Sequence, residues 1–192
     1  MIDNRLTTYI ADIDPPQKFD DLTFSDEFIN LAILIAKSRP YLWIKRKVLI
    51  EKLFLAAKPQ IGQAKVFFRA IFSPKAAAKD NGTVTLSLPF VNKAEGAKLL
   101  KIVLHETGHV YASKQGNYPD TLRLAKLYKL QFKKNLITLE PTEYAATSFS
   151  IAAMKVVAES ADDIVAKAIC EQIDEETKKL TDALDKLKAM AF

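Results

Sequence analysis

The pentapeptide His105-Glu106-Thr107-Gly108-His109 constrains the fold of this chain more than any other stretch. Its two histidines are four positions apart, so a helix would place both on one face, where they could bind the same metal ion. Glu106 lies beside them and could act as a general base towards a water at that ion. The chain contains only two histidines, and both belong to this motif. We therefore treat the segment as a candidate metal site on a helix.

The residues that precede the motif predict that it lies within a helix over residues 92–114. Asn92 is a suitable N-cap, and Glu95, three positions later, completes a pattern like that of a capping box. Apolar residues then recur along the predicted helix: Ala97, Leu99, Leu100, Ile102, Val103 and Leu104. A glycine inside a helix costs about 1 kcal/mol, so Gly108 predicts close packing of another helix against the motif.

A third ligand must come from elsewhere, because catalytic zinc usually has three protein ligands and one open position. No third histidine exists, so the candidates are a carboxylate or the single cysteine, Cys170. Glu143 is the best candidate, since Pro141 suits the first turn of a helix that would begin just before it. The other members of its helical face are small: Ala146, Thr147 and Ser150. Such a face would let the two helices approach closely.

Glu140 is the alternative third ligand, three residues before Glu143. An acid at the start of a helix is stabilised by the helix dipole, and this alone accounts for Glu140. We therefore interpret Glu140 as the N-terminal cap and Glu143 as the ligand.

An HExxH motif followed downstream by a helical glutamate resembles the gluzincins, a group of zinc peptidases. The pattern Glu143-x-x-Ala146-x-x-Phe149 is similar to the third-ligand helix of compact members, such as anthrax-lethal-factor-like proteases and the metallopeptidases that cleave phage repressors. The resemblance covers roughly residues 64–155, about half of the chain. It implies one zinc ion held by His105, His109 and Glu143, with Glu106 as the catalytic base.

The same resemblance implies an α+β, zincin-like fold, mostly helical, with a small sheet before the HExxH helix. In such enzymes an edge strand preceding that helix often binds extended substrate by strand addition, and here it would be residues 83–88. A tyrosine shortly before the third-ligand glutamate, as in lethal-factor-like enzymes, has no match within residues 133–140. The tyrosines nearest the motifs are left as open candidates for a donor to the oxyanion: Tyr111, Tyr118, Tyr128 and Tyr144.

Hydrophobic periodicity and turn residues predict the remaining elements. We expect an irregular segment over residues 1–22, and strands over residues 64–72 and 83–88. The other predicted helices cover residues 23–37 with Ser25 or Thr23 as cap, 41–57, 120–133, the Glu143 helix to about residue 159, and 162–190. The chain divides into an N-terminal part (1–60), a catalytic core (61–160) and a charged amphipathic helix (161–192), all within one compact domain. The last helix is expected to dock on that domain through Leu180, Leu184 and Leu187.

Charge and cysteine content narrow the partners and the compartment. Residues 37–79 contain eleven Lys or Arg against one acid, Glu51. Because these bases alternate with apolar residues at helical spacing, we interpret them as a solvated helix face and do not expect a nucleic-acid partner. The acidic N-terminus and the absence of a long apolar run predict a cytoplasmic chain without a membrane span. Cys170, the single cysteine, is expected to be a buried packing residue.

These patterns favour a zinc metallopeptidase that acts on a narrow protein or peptide substrate, with a possible regulatory protein partner. The alternative is a catalytically inactive zincin-fold binding module. The intact Glu106 favours the enzyme, since a purely structural zinc site does not need a base.

Overall fold

The computed structural model describes residues 4–13, 19, 22–71, 75–79, 81–114 and 134–191. These residues form an α+β fold in which helices predominate around one three-stranded sheet. The helices are α1 (Asn4–Ile13), α2 (Asp26–Ala36), α3 (Trp43–Ala56), α4 (Lys58–Ile61), α5 (Leu88–Lys93), α6 (Gly96–Lys114), α7 (Pro141–Glu159) and α8 (Asp163–Ala191), with a 3-10 helix at Lys134–Leu139. The strands are β1 (Lys65–Arg69), β2 (Ala76–Ala78) and β3 (Thr83–Ser87).

The sheet has the order β1-β3-β2. Strand β3 pairs in parallel with β1, with Lys65 opposite Thr83, and antiparallel with β2, with Ala77 opposite Thr85. The strand predicted over residues 83–88 is observed as β3, with Val84 and Leu86 buried, although Leu88 belongs to α5. The expectation that residues 83–88 form the free edge is wrong, because β3 is paired on both sides. The edge strand near the motif is instead β2.

The HExxH helix begins later than predicted. Asn92 lies in the short helix α5, which is capped by the Ser87 hydroxyl as it accepts from the Phe90 N–H, so Asn92 is not the N-cap. Helix α6 begins at Gly96, where the chain passes against the end of α2. A Cβ at Gly96 would lie 2.1 Å from the carbonyl oxygen of Ala36. Only glycine fits this approach, and the break between the two helices places it there.

A buried arginine holds this junction. Arg46 of α3 is fully buried and donates through Nη1 to the carbonyl oxygens of Val91 and Ala94, both at 2.8 Å. Its Nη2 donates to the Ser38 carbonyl at 2.6 Å. Burial lowers the pKa of Arg46, but the arginine pKa is so high that the group stays charged, and carbonyl oxygens satisfy its donors. The guanidinium thus ties α3 to the loops that precede α3 and α6.

Two apolar clusters form the core. The first lies between α2, α3, the sheet, α6, the C-terminal part of α7 and the first half of α8. The second joins α1, the 3-10 helix, Tyr144 and the end of α8. The prediction of an irregular segment over residues 1–22 is wrong for 4–13, where α1 buries Tyr9, Ile10 and Ile13 at helical spacing. The Tyr9 hydroxyl donates to the Leu139 carbonyl at 2.9 Å within this cluster.

Helices α2 and α8 lie where the sequence predicts them. Ser25 caps α2, since its hydroxyl accepts from the Phe28 N–H at 3.2 Å. Helix α8 docks as expected, with Leu180, Leu184 and Leu187 buried. Cys170 is exposed, which corrects its expected burial, because it lies on the solvent side of α8. The helix predicted over residues 120–133 lies outside the described residues. Among those that are described, no helix is long and apolar enough to cross a membrane.

Candidate metal centre

Helices α6 and α7 cross at Gly108. A Cβ at this position would lie 2.8 Å from both the Cα and the carbonyl oxygen of Ala146, and 3.1 Å from the Phe149 Cβ. The backbone of α7 therefore rests directly on the motif, as the central glycine and the small face of the Glu143 helix predict. Further along the same contact the Ser150 hydroxyl donates to the Lys101 carbonyl at 3.3 Å.

This crossing brings together the three residues that the sequence predicts as candidate ligands. The Nε2 atoms of His105 and His109 are 3.2 Å apart. The Glu143 carboxylate reaches both rings, at 3.3 Å from His105 Nε2 and 3.5 Å from His109 Nε2. One ligand atom from each residue lies within 4.8 Å of the other two. The three groups thus face a common point, with all three residues half-buried.

Glu140 occupies a different role from Glu143. Its Oε2 accepts from the backbone N–H groups of Thr142 at 3.0 Å and Glu143 at 3.2 Å, and from the Thr142 hydroxyl. This is the N-cap of α7, as predicted. Glu140 is thus engaged by the first turn of α7, whereas the Glu143 carboxylate faces the two histidines.

Charge interactions and hydrogen bonds within the cluster favour the ionised forms of Glu143 and His109. Hydrogen bonds from His105 and His109 hold the pKa of Glu143 far below its usual range, against the effect of burial. Burial alone would lower the pKa of His109, but the facing Glu143 carboxylate, with Glu106 and Glu140, raises it. A divalent cation bound between one carboxylate and two imidazoles would take the place of the protons that the histidines share with Glu143.

Glu106 lies beside the cluster and is 5% exposed. Burial raises the pKa of its carboxyl, and the neighbouring histidines oppose this rise. The carboxylate accepts a backbone hydrogen bond from Ala78 of β2. Its Oε2 has no hydrogen-bond partner among the described residues. A buried carboxylate oxygen of this kind can accept a hydrogen bond from a water beside the three candidate ligands.

A cavity of about 520 Å³ opens onto these groups. Its lining includes the three candidate ligands, Glu106, Thr142 and the whole of residues 75–79. Strand β2 therefore forms one wall of the cavity. The Lys79 N–H donates to the Thr83 carbonyl at 2.9 Å. At the other end of the strand, the Ser87 N–H donates to the Lys75 carbonyl, also at 2.9 Å. Antiparallel pairing alternates, so the backbone groups of Ala76 and Ala78 point away from β3.

Two features of the site escape sequence reasoning. Strand β2 is not predicted, because three consecutive alanines favour helix over strand and only pairing with β3 makes them extended. Thr147 is foreseen only as a small residue. Its hydroxyl lies 3.5 Å from His105 Nδ1, where it can orient the ring. The sequence signal for this role is the position of Thr147, one helical turn after Glu143, which places its hydroxyl on the face of α7 that meets the histidines.

The oxyanion-donor candidates are reduced by the structure. Tyr144 is buried in the second cluster, where its hydroxyl donates to the Ile13 carbonyl at 3.2 Å. The Tyr111 ring packs against Phe149, with 5.2 Å between centroids. Tyr118 and Tyr128 lie outside the described residues. Cys170, on α8, does not join the cluster of candidate ligands.

Comparison with known proteins adds no relative. No family model, curated protein or solved structure matches this chain.

Proposed function

We propose that this chain is a zinc-dependent metallopeptidase of the gluzincin type, with His105, His109 and Glu143 as ligands and Glu106 as general base. The observation that carries the proposal is the convergence of two imidazole nitrogens and one carboxylate next to a second, buried carboxylate. Two histidines and a glutamate form a donor set typical of catalytic zinc. The unsatisfied Glu106 Oε2 supports the fit, because it offers an acceptor for the attacking water.

Zinc held by these three groups would lower the pKa of a water and polarise the scissile carbonyl. The residues of the chain supply the rest. Glu106 accepts the proton of the attacking water and returns it to the leaving amine. Its pKa is raised by burial, which brings the carboxylate closer to the basicity that this transfer requires. The Thr147 hydroxyl, 3.5 Å from His105 Nδ1, favours the ring orientation in which Nε2 faces Glu143 and His109.

Strand β2 is suited to hold an extended peptide across the cavity. The outward backbone groups of Ala76 are free of the β3 ladder by register, so they can pair with a substrate strand. The Ala78 N–H bonds Glu106, which fixes the distance between this strand and the base. The alanine side chains leave room, and Lys75 and Lys79 stand at the two ends of the strand.

Metal analysis of the purified protein and of His109→Ala, Glu143→Ala and Glu140→Ala tests the site. We expect about one zinc per chain, from the ligand set, with loss of the metal in the first two variants. Glu140→Ala is the matched control: it removes the cap at a cost of about 1 kcal/mol but keeps the zinc. No zinc in the parent after zinc addition and dialysis overturns the proposal.

Activity is tested with unfolded protein mixtures, in which new chain termini are identified by mass spectrometry. Glu106→Gln is the control, because the amide keeps the shape and the metal but cannot take up a proton. We expect cleavage by the zinc-loaded parent and none by Glu106→Gln. Equal cleavage by both would exclude Glu106 as the base, and zinc binding without cleavage of any substrate would favour the binding module.

A further inference from the structure

A group of apolar side chains along α3 and in the turn before it is exposed to solvent. We call it the α3 surface and define it by Tyr41, Leu42, Trp43, Ile44, Val48 and Leu55. Three of these side chains are mostly in solvent: Tyr41 is 72% exposed, Ile44 63% and Leu55 70%. Single exposed apolar residues are common, but a contiguous group is typical of a binding surface.

Helix α3 carries apolar residues on two opposite faces. One face buries Leu49, Ile50, Leu53 and Phe54 in the first cluster. On the other face Ile44, Val48 and Leu55 lie at spacings of four and seven residues, so they share one side of the helix, where Glu51 lies between Val48 and Leu55. The core accounts for the first row only. The second row has no packing role within the described part of the chain.

The turn before α3 is held in a strained conformation that keeps its side chains outward. Tyr41 has φ of 66°, the only positive value among the described non-glycine residues. For an aromatic residue this is an unfavourable region. The Tyr41 N–H donates to the Asn92 carbonyl at 2.6 Å, and Arg46 bonds the Ser38 carbonyl on the other side. The surface is therefore presented on a fixed framework.

Basic residues flank the apolar row. Lys45 and Lys52 are exposed and seven residues apart, so they lie along one flank of the apolar row. Lys47 lies on the other flank, 3.8 Å from Glu51, and Arg39 is exposed just before the turn. Glu51 is the one acid among residues 37–79, against eleven bases. An occupant that combines apolar groups with negative charge therefore matches the predominant character of this surface.

We propose that the α3 surface binds the face of an anionic lipid bilayer, with Leu42, Trp43 and Ile44 inserted among the lipids and the flanking lysines on their head groups. Tryptophan and tyrosine favour the level of the head groups, and aliphatic side chains favour the acyl region below. Nucleic acid would satisfy the lysines but would leave the aliphatic row in water. The proposal is independent of the candidate metal centre, because α3 does not line its cavity.

Trp43 is the only tryptophan of the chain, so its fluorescence reports on this surface alone. The test uses vesicles of phosphatidylcholine with and without phosphatidylserine. With phosphatidylserine we expect co-sedimentation, a blue shift of the emission and quenching by brominated acyl chains. Both effects should weaken as salt is added, since the head-group contacts are screened. No co-sedimentation at low salt overturns the proposal.

Variants separate insertion from simple attraction of charge. Leu42→Ser with Ile44→Ser should weaken partitioning about tenfold or more, and Lys45→Glu with Lys52→Glu should weaken it by about the same factor. Met190→Ser, at a 54% exposed apolar residue near the end of α8, is the matched control and should bind as the parent does. Binding that needs the lysines but not Leu42 and Ile44 overturns insertion. Retention on duplex DNA but not on vesicles overturns the choice of partner.

Discussion

At the scale of single residues, Gly108 fixes the separation of the helices that carry the three candidate ligands. Its α-hydrogen leaves room for the backbone of Ala146, where any side chain would collide. The sequence motif requires histidines at its ends but leaves its central positions open, so glycine here reflects packing. The distance between Glu143 and the two histidines is therefore set by backbone contact.

Replacement of Gly108 by alanine tests this role. Alanine is favoured over glycine in a helix by about 1 kcal/mol, so a free site would be stabilised. Here the new Cβ meets backbone atoms at 2.8 Å, and α7 must move. We expect net destabilisation of about 1–3 kcal/mol in urea unfolding, with weaker zinc binding. Ala146→Gly should not rescue the variant, because the collision is with the backbone. An unchanged or higher midpoint would show that α7 can yield.

At the scale of elements, the sequence predicts the helices that follow from local periodicity and capping. It does not predict the elements that depend on contacts with distant parts of the chain. The HExxH helix, α2, α3, α7 and α8 follow from periodicity and capping. The α5–α6 break was missed, because its cause is the Ala36 carbonyl that approaches Gly96 from a distant helix. Strand β2 was missed for a similar reason, since alanine has little preference for extended backbone. The three candidate ligands converge as predicted because their spacing is encoded within two helices.

Proline substitutions in β2 test its use as the edge that binds substrate. Ala76→Pro removes an N–H that points away from β3, so we expect a change in stability within about 1 kcal/mol and a marked fall in kcat/KM. Ala77→Pro is the matched control, because the Ala77 N–H belongs to the ladder with Thr85. Ala77→Pro should therefore lower the melting temperature, whereas Ala76→Pro should not. Unimpaired cleavage by Ala76→Pro would mean that the substrate does not pair with this strand.

At the scale of the whole molecule, the candidate centre spans the two apolar clusters. Helix α6 with both histidines belongs to the first, whereas Tyr144, next to Glu143, is packed in the second. Helix α8 crosses both and is tied to α6 by Lys101, which is 3.0 Å from Glu175 and 3.1 Å from Glu176. This nearly buried lysine links the C-terminal helix to the helix of the motif.

The contact of Lys101 with Glu175 and Glu176 should affect how the free energy of unfolding falls in acid. Lys179, followed by Lys101, lowers the pKa of Glu175 to about 2. The same lysines lower the pKa of Glu176, although burial alone would raise it. An unfolded glutamate titrates near about 4.3, so the folded state binds fewer protons. The stabilisation is present above that pH and is lost as the pH falls from about 4.3 towards 2.

Urea unfolding at pH 7, 4 and 2.5 measures this loss, because these conditions lie on both sides of about 4, where an unfolded glutamate titrates. The free energy of unfolding should fall less steeply with acid in Glu175→Gln/Glu176→Gln than in the parent. Glu175 is about half exposed, so its share is at most about 1 kcal/mol. Glu171→Gln, at an exposed acid of the same helix, should follow the parent. A steep loss in the double variant would assign acid sensitivity to other groups.

The backbone contact between Gly108 and Ala146 also bears on how the chain would take up an ion. Donor atoms held at a set spacing by a rigid frame resemble those of a macrocyclic chelator, which loses little conformational entropy on binding. Such a frame discriminates between ions by the size of its preset gap. In this it differs from a zinc finger, whose chain folds only around the metal. We expect the three donor atoms to keep this spacing whether or not an ion is bound.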